Sequence, residues 1–186
     1  KVSCFIMSTK SKKIRIALLF GGKSAEHDVS IMSARNIYQA LDKEKYTITP
    51  IGITREGKWL SLRDNILDDP QVQIEDNLAK KTVPSPLLPT DQNQHPFLRP
   101  DTQEKNLDVI FPVLHGPFGE DGSIQGTCKM FGIPFVGPSI LGSSVSMDKD
   151  VMKRLLREAG IPVAKALVLR QLEAQPDFSL IQSILG

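Results

Sequence analysis

Residues 14–22 read Ile-Arg-Ile-Ala-Leu-Leu-Phe-Gly-Gly. Apart from Arg15, every side chain up to Phe20 is apolar, and two glycines close the run. A short, unbroken apolar run of this kind predicts a strand buried on both faces. Working outward, Ser24 can cap a helix running to about Leu41, with Val29, Met32, Ile37, Ala40 and Leu41 roughly on one face. Tyr46–Thr54 reads as a second strand, Glu56-Gly57 as a turn and Lys58–Leu60 as a short continuation. Leu107–Leu114 repeats the buried-strand pattern and runs into a glycine-rich loop, His115–Gly122. Ser123–Phe131 reads as a helix with Ile124, Cys128 and Phe131 inward, stopped by Gly132. Ile133–Val136 is a further short strand. Asp148 caps an amphipathic helix carrying Val151, Met152, Leu155, Leu156 and Ala159, with Gly160 as its stop. Val163–Leu169 reads as a strand, and Ser179–Leu185 begins a helix.

Strands alternating with helices predict an α/β fold with a largely parallel sheet. Ligands on such sheets bind at the carboxyl ends of strands. Both glycine-rich loops, 21–26 and 115–122, fall there. Residues 62–106 break the pattern: Pro70, Pro84, Pro86, Pro89, Pro96 and Pro100 punctuate polar sequence with no period. They predict an insertion with little regular structure.

Composition narrows the function classes. Lys and Arg number 23 against 21 Asp and Glu, a net charge of +2, which favours neither nucleic acid nor an anionic membrane surface as a partner. Hydrophobic residues at 40% and charged residues at 24% suit a globular protein of one domain, with room for part of a second. No apolar run approaches the roughly 18 residues of a membrane span. Cys4 and Cys128 form no disulfide framework or zinc site and read as reduced thiols of a cytoplasmic protein. Lys1–Ile6 precedes the basic Lys10, Lys12 and Lys13, the reverse of a secretory leader, so residues 1–13 are set aside from the fold.

Gly21-Gly22-Lys23-Ser24 ends like a phosphate-binding P-loop, but position 17, where that pattern needs glycine, is Ala17 within the strand. The dinucleotide pattern G-x-G-x-x-G is also absent. Glu26 and His27 admit two readings: an acidic residue complementing a helix dipole, or a carboxylate placed to receive an ammonium group. In the 115–126 stretch, His115 follows a strand directly and Gly116, Gly119 and Gly122 suit a backbone that approaches a ligand closely. A capped left-handed turn fits the same glycines. Lys149 sits at a helix start, where the dipole disfavours a cation, and is either a tolerated surface lysine or a contact for an anion such as phosphate.

Three stretches in order carry a family resemblance: Gly21–Ser30 (GGKSAEHDVS), His115–Gly126 (HGPFGEDGSIQG) and Ser146–Leu156 (SMDKDVMKRLL). Together they resemble the D-alanine–D-alanine ligases of the ATP-grasp superfamily. The second matches H-G-x-x-G-E-D-G-x-[aliphatic]-Q-[small] at every specified position. The resemblance covers residues 14–186, and the 62–106 segment is similar to the longer branch of the family. It implies a Rossmann-like parallel-sheet N-terminal domain (14–148) followed by the start of an ATP-grasp central domain (149–186).

It also implies that ATP phosphorylates one D-alanine and that the amine of a second attacks the acyl phosphate, for peptidoglycan synthesis. By resemblance Glu26 holds the ammonium of the first D-alanine and His115 its carboxyl group, Val29 and Ser30 line the same site, and Lys149 contacts ATP phosphates. The Mg²⁺ ligands and most of the ATP grip are expected beyond position 186, so residues 1–186 alone are expected not to complete the reaction. A cytoplasmic homodimer is implied as well. The alternatives are a D-alanine–D-lactate or D-alanine–D-serine ligase, another ATP-grasp carboxylate–amine ligase, and a non-enzymatic small-molecule binding module.

Overall fold

A computed structural model of the chain describes residues 12–69, 107–169 and 178–185. Among them, four strands form one sheet in the order β3-β2-β1-β4. They are β1 (Ile14–Gly21), β2 (Tyr46–Ile53), β3 (Trp59–Ser61) and β4 (Val109–Pro112). β1 is parallel to both β2 and β4, and β3 returns antiparallel to β2. The α/β expectation holds, with a sheet parallel but for β3.

β1 lies inside the sheet, and alternate side chains bury on opposite faces. Leu18 and Phe20 pack with Ile31 and Ala34 of helix α1 (His27–Ala40) and with Ile48, Leu60 and Val113. Ala17 and Leu19 pack on the other face with Ile110, and with Ile124 and Cys128 of helix α2 (Ser123–Met130). Ala17, Leu18, Leu19 and Phe20 are all fully buried, as an uninterrupted apolar run requires. Each large side chain among them contributes roughly 1.5–3 kcal/mol.

Several boundaries differ from expectation. α1 starts at His27, not at Ser24, because the Ser24 hydroxyl accepts the Glu26 N–H and closes a turn ahead of the helix. Its inward face is also not the one expected. Ser30, Ile31 and Ala34 are buried, while Val29 and Met32 are 50% and 60% exposed. The segment expected to be irregular over 62–106 is ordered at its start: Leu62 and a 3-10 turn, Ile66–Asp68, put Leu62, Ile66 and Leu67 into the core. The rest of that segment, 70–106, lies outside the described residues.

Ile133–Val136 forms a single bridge, Ile110 to Phe135, and not a strand. A third helix, α3 (Ile140–Met147), occupies sequence for which no element was expected. It precedes α4 (Lys149–Glu158), which Asp148 caps by accepting the N–H groups of Asp150 and Val151 at 3.0 Å each. Residues 163–169 join no ladder among the described residues, so the expected strand is absent there. The last helix, α5, spans Phe178–Leu185.

Candidate functional site

The carboxyl ends of β1 and β4 are neighbours because the strands pair in parallel, Leu19 opposite Pro112. Helix α1 is stitched to both ends. The Ser30 hydroxyl accepts the Gly21 N–H at 2.8 Å and donates to the Val113 carbonyl. His27, fully buried, holds the Gly22 carbonyl at 2.8 Å through Nδ1, which must donate because a carbonyl only accepts. These two polar residues occupy inward positions of α1 because they fix the loop geometry.

β4 leads into His115, half-buried, whose Nε2 lies 3.2 Å from the Ser33 hydroxyl of α1. Gly116 follows with a left-handed backbone, φ +71°. Its N–H donates to Glu120 Oε2 at 2.9 Å, and its carbonyl accepts the Glu120 N–H at 2.9 Å. A methyl group built on Gly116 would stand 2.9 Å from Glu26 Oε2. The Glu26 carboxylate therefore lies directly against the Gly116 backbone. Glu120 Oε1 faces His115 Nδ1 at 3.9 Å.

Asp121 completes the loop by accepting the N–H groups of Phe118 and Ser123, both at 2.9 Å. Burial pushes its carboxyl group upward, but the backbone donors at Phe118 and Ser123 outweigh it and hold the group below its ordinary value. Gln125, nearly buried, donates to the Gly119 carbonyl at 3.0 Å. At Gly122, φ +95°, an added methyl group would meet the Ser144 hydroxyl at 2.5 Å. That close approach lets Ser144 of α3 donate to the Asp121 carbonyl at 2.8 Å.

Among the residues expected from the sequence, Glu26 lies against Gly116, the residue that follows His115. Ser30 lies beneath them, fully buried, with its hydroxyl engaged by Gly21 and Val113. Val29 points to the half-exposed outer side of α1. Lys149 is exposed on α4 and donates to the Ser146 carbonyl at 2.7 Å. Ser33 escaped the sequence reading, and Glu120 entered it only as a matched position of the 115–126 motif, with no role. Ser33 shares a helical spacing with Glu26 and Ser30, the signal that could have exposed it.

His115 also borders a cavity of about 250 Å³, lined with it by Lys23, Ile53, Trp59, Leu114 and Phe118 among others. Its wall is mainly apolar, and Glu26 is not among its lining residues. Among the described residues, no group of three or more His, Cys, Asp or Glu converges as a metal site. No helix among them is long and apolar enough to cross a membrane.

A family model described as the N-terminus of D-ala D-ala ligase matches residues 15–138. D-alanine--D-alanine ligase A of Chromobacterium violaceum is 47% identical, with 94% of this chain and 48% of that protein covered. The D-alanine--D-alanine ligase of Oceanobacillus iheyensis is 43% identical over 88% of this chain and 45% of its own. The chain spans about half the length of these curated relatives. Among solved structures, the D-alanine-D-alanine ligase of Coxiella burnetii aligns with a TM-score of 0.75 and 32% identity, covering 94% of this chain and 49% of that one. The VanG D-Ala:D-Ser ligase of Enterococcus faecalis aligns with a TM-score of 0.60, also at 32% identity, covering 83% and 44%.

Proposed function

The chain belongs to the D-alanine–D-alanine ligase family, of which it carries N-terminal sequence, and on that premise we propose that it supplies the first-substrate side of an ATP-dependent ligase. The carrying observation is the Glu26 carboxylate resting on Gly116 beside His115, at the joined carboxyl ends of β1 and β4. A carboxylate and an imidazole at such a place match the two ends of an amino acid. Glu26 takes the ammonium group and His115 steadies the carboxyl group, each through a charge-assisted hydrogen bond.

In this reading ATP transfers its γ-phosphoryl group to that carboxyl, releasing ADP. The amine of a second D-alanine then attacks the acyl phosphate, and phosphate leaves. The protein's part is to orient the acceptor oxygen in line and to offset developing charge. Val29 and Ser30 act as walls and supports of the substrate site, and Lys149 meets ATP phosphates. Residues 14–148 form the substrate domain and 149–186 open the central one. Burial supports that division, since Ser143 is the last buried residue among those described. A cytoplasmic homodimer using ATP and Mg²⁺ completes the reading by family resemblance. The second substrate is D-alanine by the names of the curated relatives; the VanG neighbour, equal in identity to the Coxiella enzyme, makes D-serine the second candidate.

The test uses the whole protein that contains this chain. Glu26→Gln keeps the shape and removes the charge. The apparent affinity for the first D-alanine should fall about ten- to a hundredfold, as expected for a lost charge-assisted bond, while the KM for ATP stays unchanged. His115→Gln should lower kcat as well. Unaltered D-alanine dependence in Glu26→Gln would reduce that carboxylate to a partner of the helix dipole.

A further inference from the structure

We propose that Glu120 is a positioning residue for the first-substrate site, acting through Gly116 on Glu26 and His115. This rests on the reading above, in which those two side chains hold the first D-alanine. Glu120 grips Gly116 from both sides. Its N–H donates to the Gly116 carbonyl, and its Oε2 accepts the Gly116 N–H, both at 2.9 Å. The five-residue turn from Gly116 to Glu120 is thereby closed twice, and Gly116 is held at φ +71°.

That backbone unit is the surface on which the Glu26 carboxylate lies. An added methyl group there would stand 2.9 Å from Glu26 Oε2, so the carboxylate and the Gly116 backbone are immediate neighbours. The second carboxylate oxygen of Glu120 faces His115 Nδ1 at 3.9 Å, while the Ser33 hydroxyl lies 3.2 Å from the opposite ring nitrogen. The imidazole is thus flanked at both nitrogens, by Ser33 from α1 and by Glu120 from its own loop.

The neighbouring carboxylate has a different task. Asp121 binds the N–H groups of Phe118 and Ser123 and secures the start of α2. The Glu120 side chain is 53% exposed and fills no core space. Its loss should therefore be felt in substrate geometry more than in stability.

The experiment compares Glu120→Ala with Glu120→Gln in the whole protein. Glu120→Ala should lower kcat/KM for the first D-alanine about tenfold or more, the effect of a lost charged hydrogen bond and a misplaced contact. The KM for ATP should stay within about twofold, and the melting temperature within about 3 °C. Glu120→Gln retains an acceptor oxygen for the Gly116 N–H and should recover activity to within about threefold. The Gly116 amide proton should shift upfield in Glu120→Ala and stay near its wild-type position in Glu120→Gln. Unchanged D-alanine kinetics in Glu120→Ala would overturn the proposal, as would parallel losses for D-alanine and ATP without rescue by glutamine. If the wild-type protein releases no phosphate in response to D-alanine, the function reading fails and takes the named substrate with it. The Gly116 amide shift then still decides, separately, whether Glu120 holds that backbone.

Discussion

Helices α1 and α4 carry the two ends of the expected site, and they are held in place by opposite means. α1 buries His27, Ser30, Ile31 and Ala34 and is stitched to β1 and β4 through side-chain bonds to Gly21, Gly22 and Val113. α4 separates polar from apolar residues more sharply, yet none of its residues is buried, and Val151 and Leu155 remain 38% and 53% exposed. Among the described residues its order comes from local bonds: the Asp148 cap and the Arg154–Asp150 ion pair at 2.5 Å. Tertiary packing thus places Glu26 and His115, whereas short-range interactions place Lys149. An amphipathic pattern announces a helix but not the surface that covers it.

The sharpest way to break this comparison is a matched pair of truncations in the 186-residue chain. Leu18→Ala empties a fully buried position of β1 and should destabilise by about 2–5 kcal/mol. Leu155→Ala on α4 should change stability by no more than about 0.5 kcal/mol. Denaturant midpoints at constant slope decide it. Equal losses would mean that α4 is as deeply anchored as the sheet.

Gly116→Ala tests the junction of strand and loop. It combines a left-handed backbone, costing an alanine roughly 1–2 kcal/mol, with a methyl group driven against the Glu26 carboxylate. Stability should drop by about that amount, and D-alanine affinity should fall further than stability alone explains. A variant with normal affinity per folded molecule would show that Glu26 does not need its seat on Gly116.

How much of this the sequence carried depends on what held each element. The 14–20 run is legible as a doubly buried strand because every position after Arg15 obeys one rule, burial on alternate faces. The inward face of α1 is not legible from apolar residues alone, because His27 and Ser30 take inward places in order to bond backbone groups of the loops. α3 is missed because its serines and glycine have poor helix propensity; Ser139, which accepts the Gly142 N–H, and Ser144, which reaches Asp121, hold it instead. Residues 163–169 look like a strand, but a strand needs a ladder partner, and periodicity names none. For the site, strand-end glycines bring Glu26 and His115 to notice. Ser33 and a role for Glu120 emerge only once α1 and the loop are packed together.

A smaller effect is expected at the α4 cap. Asp148→Ala removes the acceptor of two backbone N–H groups, a loss of about 1 kcal/mol for a typical N-cap. Hydrogen exchange at Asp150 and Val151 should quicken about fivefold, while the global unfolding midpoint stays put because no residue of α4 is fully buried. A shifted midpoint would show that the helix is coupled to the core after all.

The smallest effect belongs to the rim of the well-packed half, where Arg15 of β1 clasps Asp108 just before β4. Arg15 Nε and Nη2 donate to the two carboxylate oxygens at 3.0 and 2.8 Å, and the Arg15 N–H adds a third bond at 2.8 Å. The Arg15 hydrogen bonds, first from the side chain and then from the backbone, hold the Asp108 carboxyl down to about 2 from its ordinary 3.8. A group depressed on folding stabilises fully above its unfolded value and loses that contribution as acid protonates it. The bond should therefore act at constant strength from neutral pH down to about 4 and fade between 3.8 and about 2. The Asp108 side chain is 40% exposed, so solvent screening keeps the gain under about 1 kcal/mol. Asp108→Asn should lower the denaturation midpoint slightly at pH 6, and the difference from wild type should close by pH 2. A gap that stayed constant through this acid range would trace the loss to the asparagine's geometry, and the β1–β4 rim would owe nothing to the ion pair.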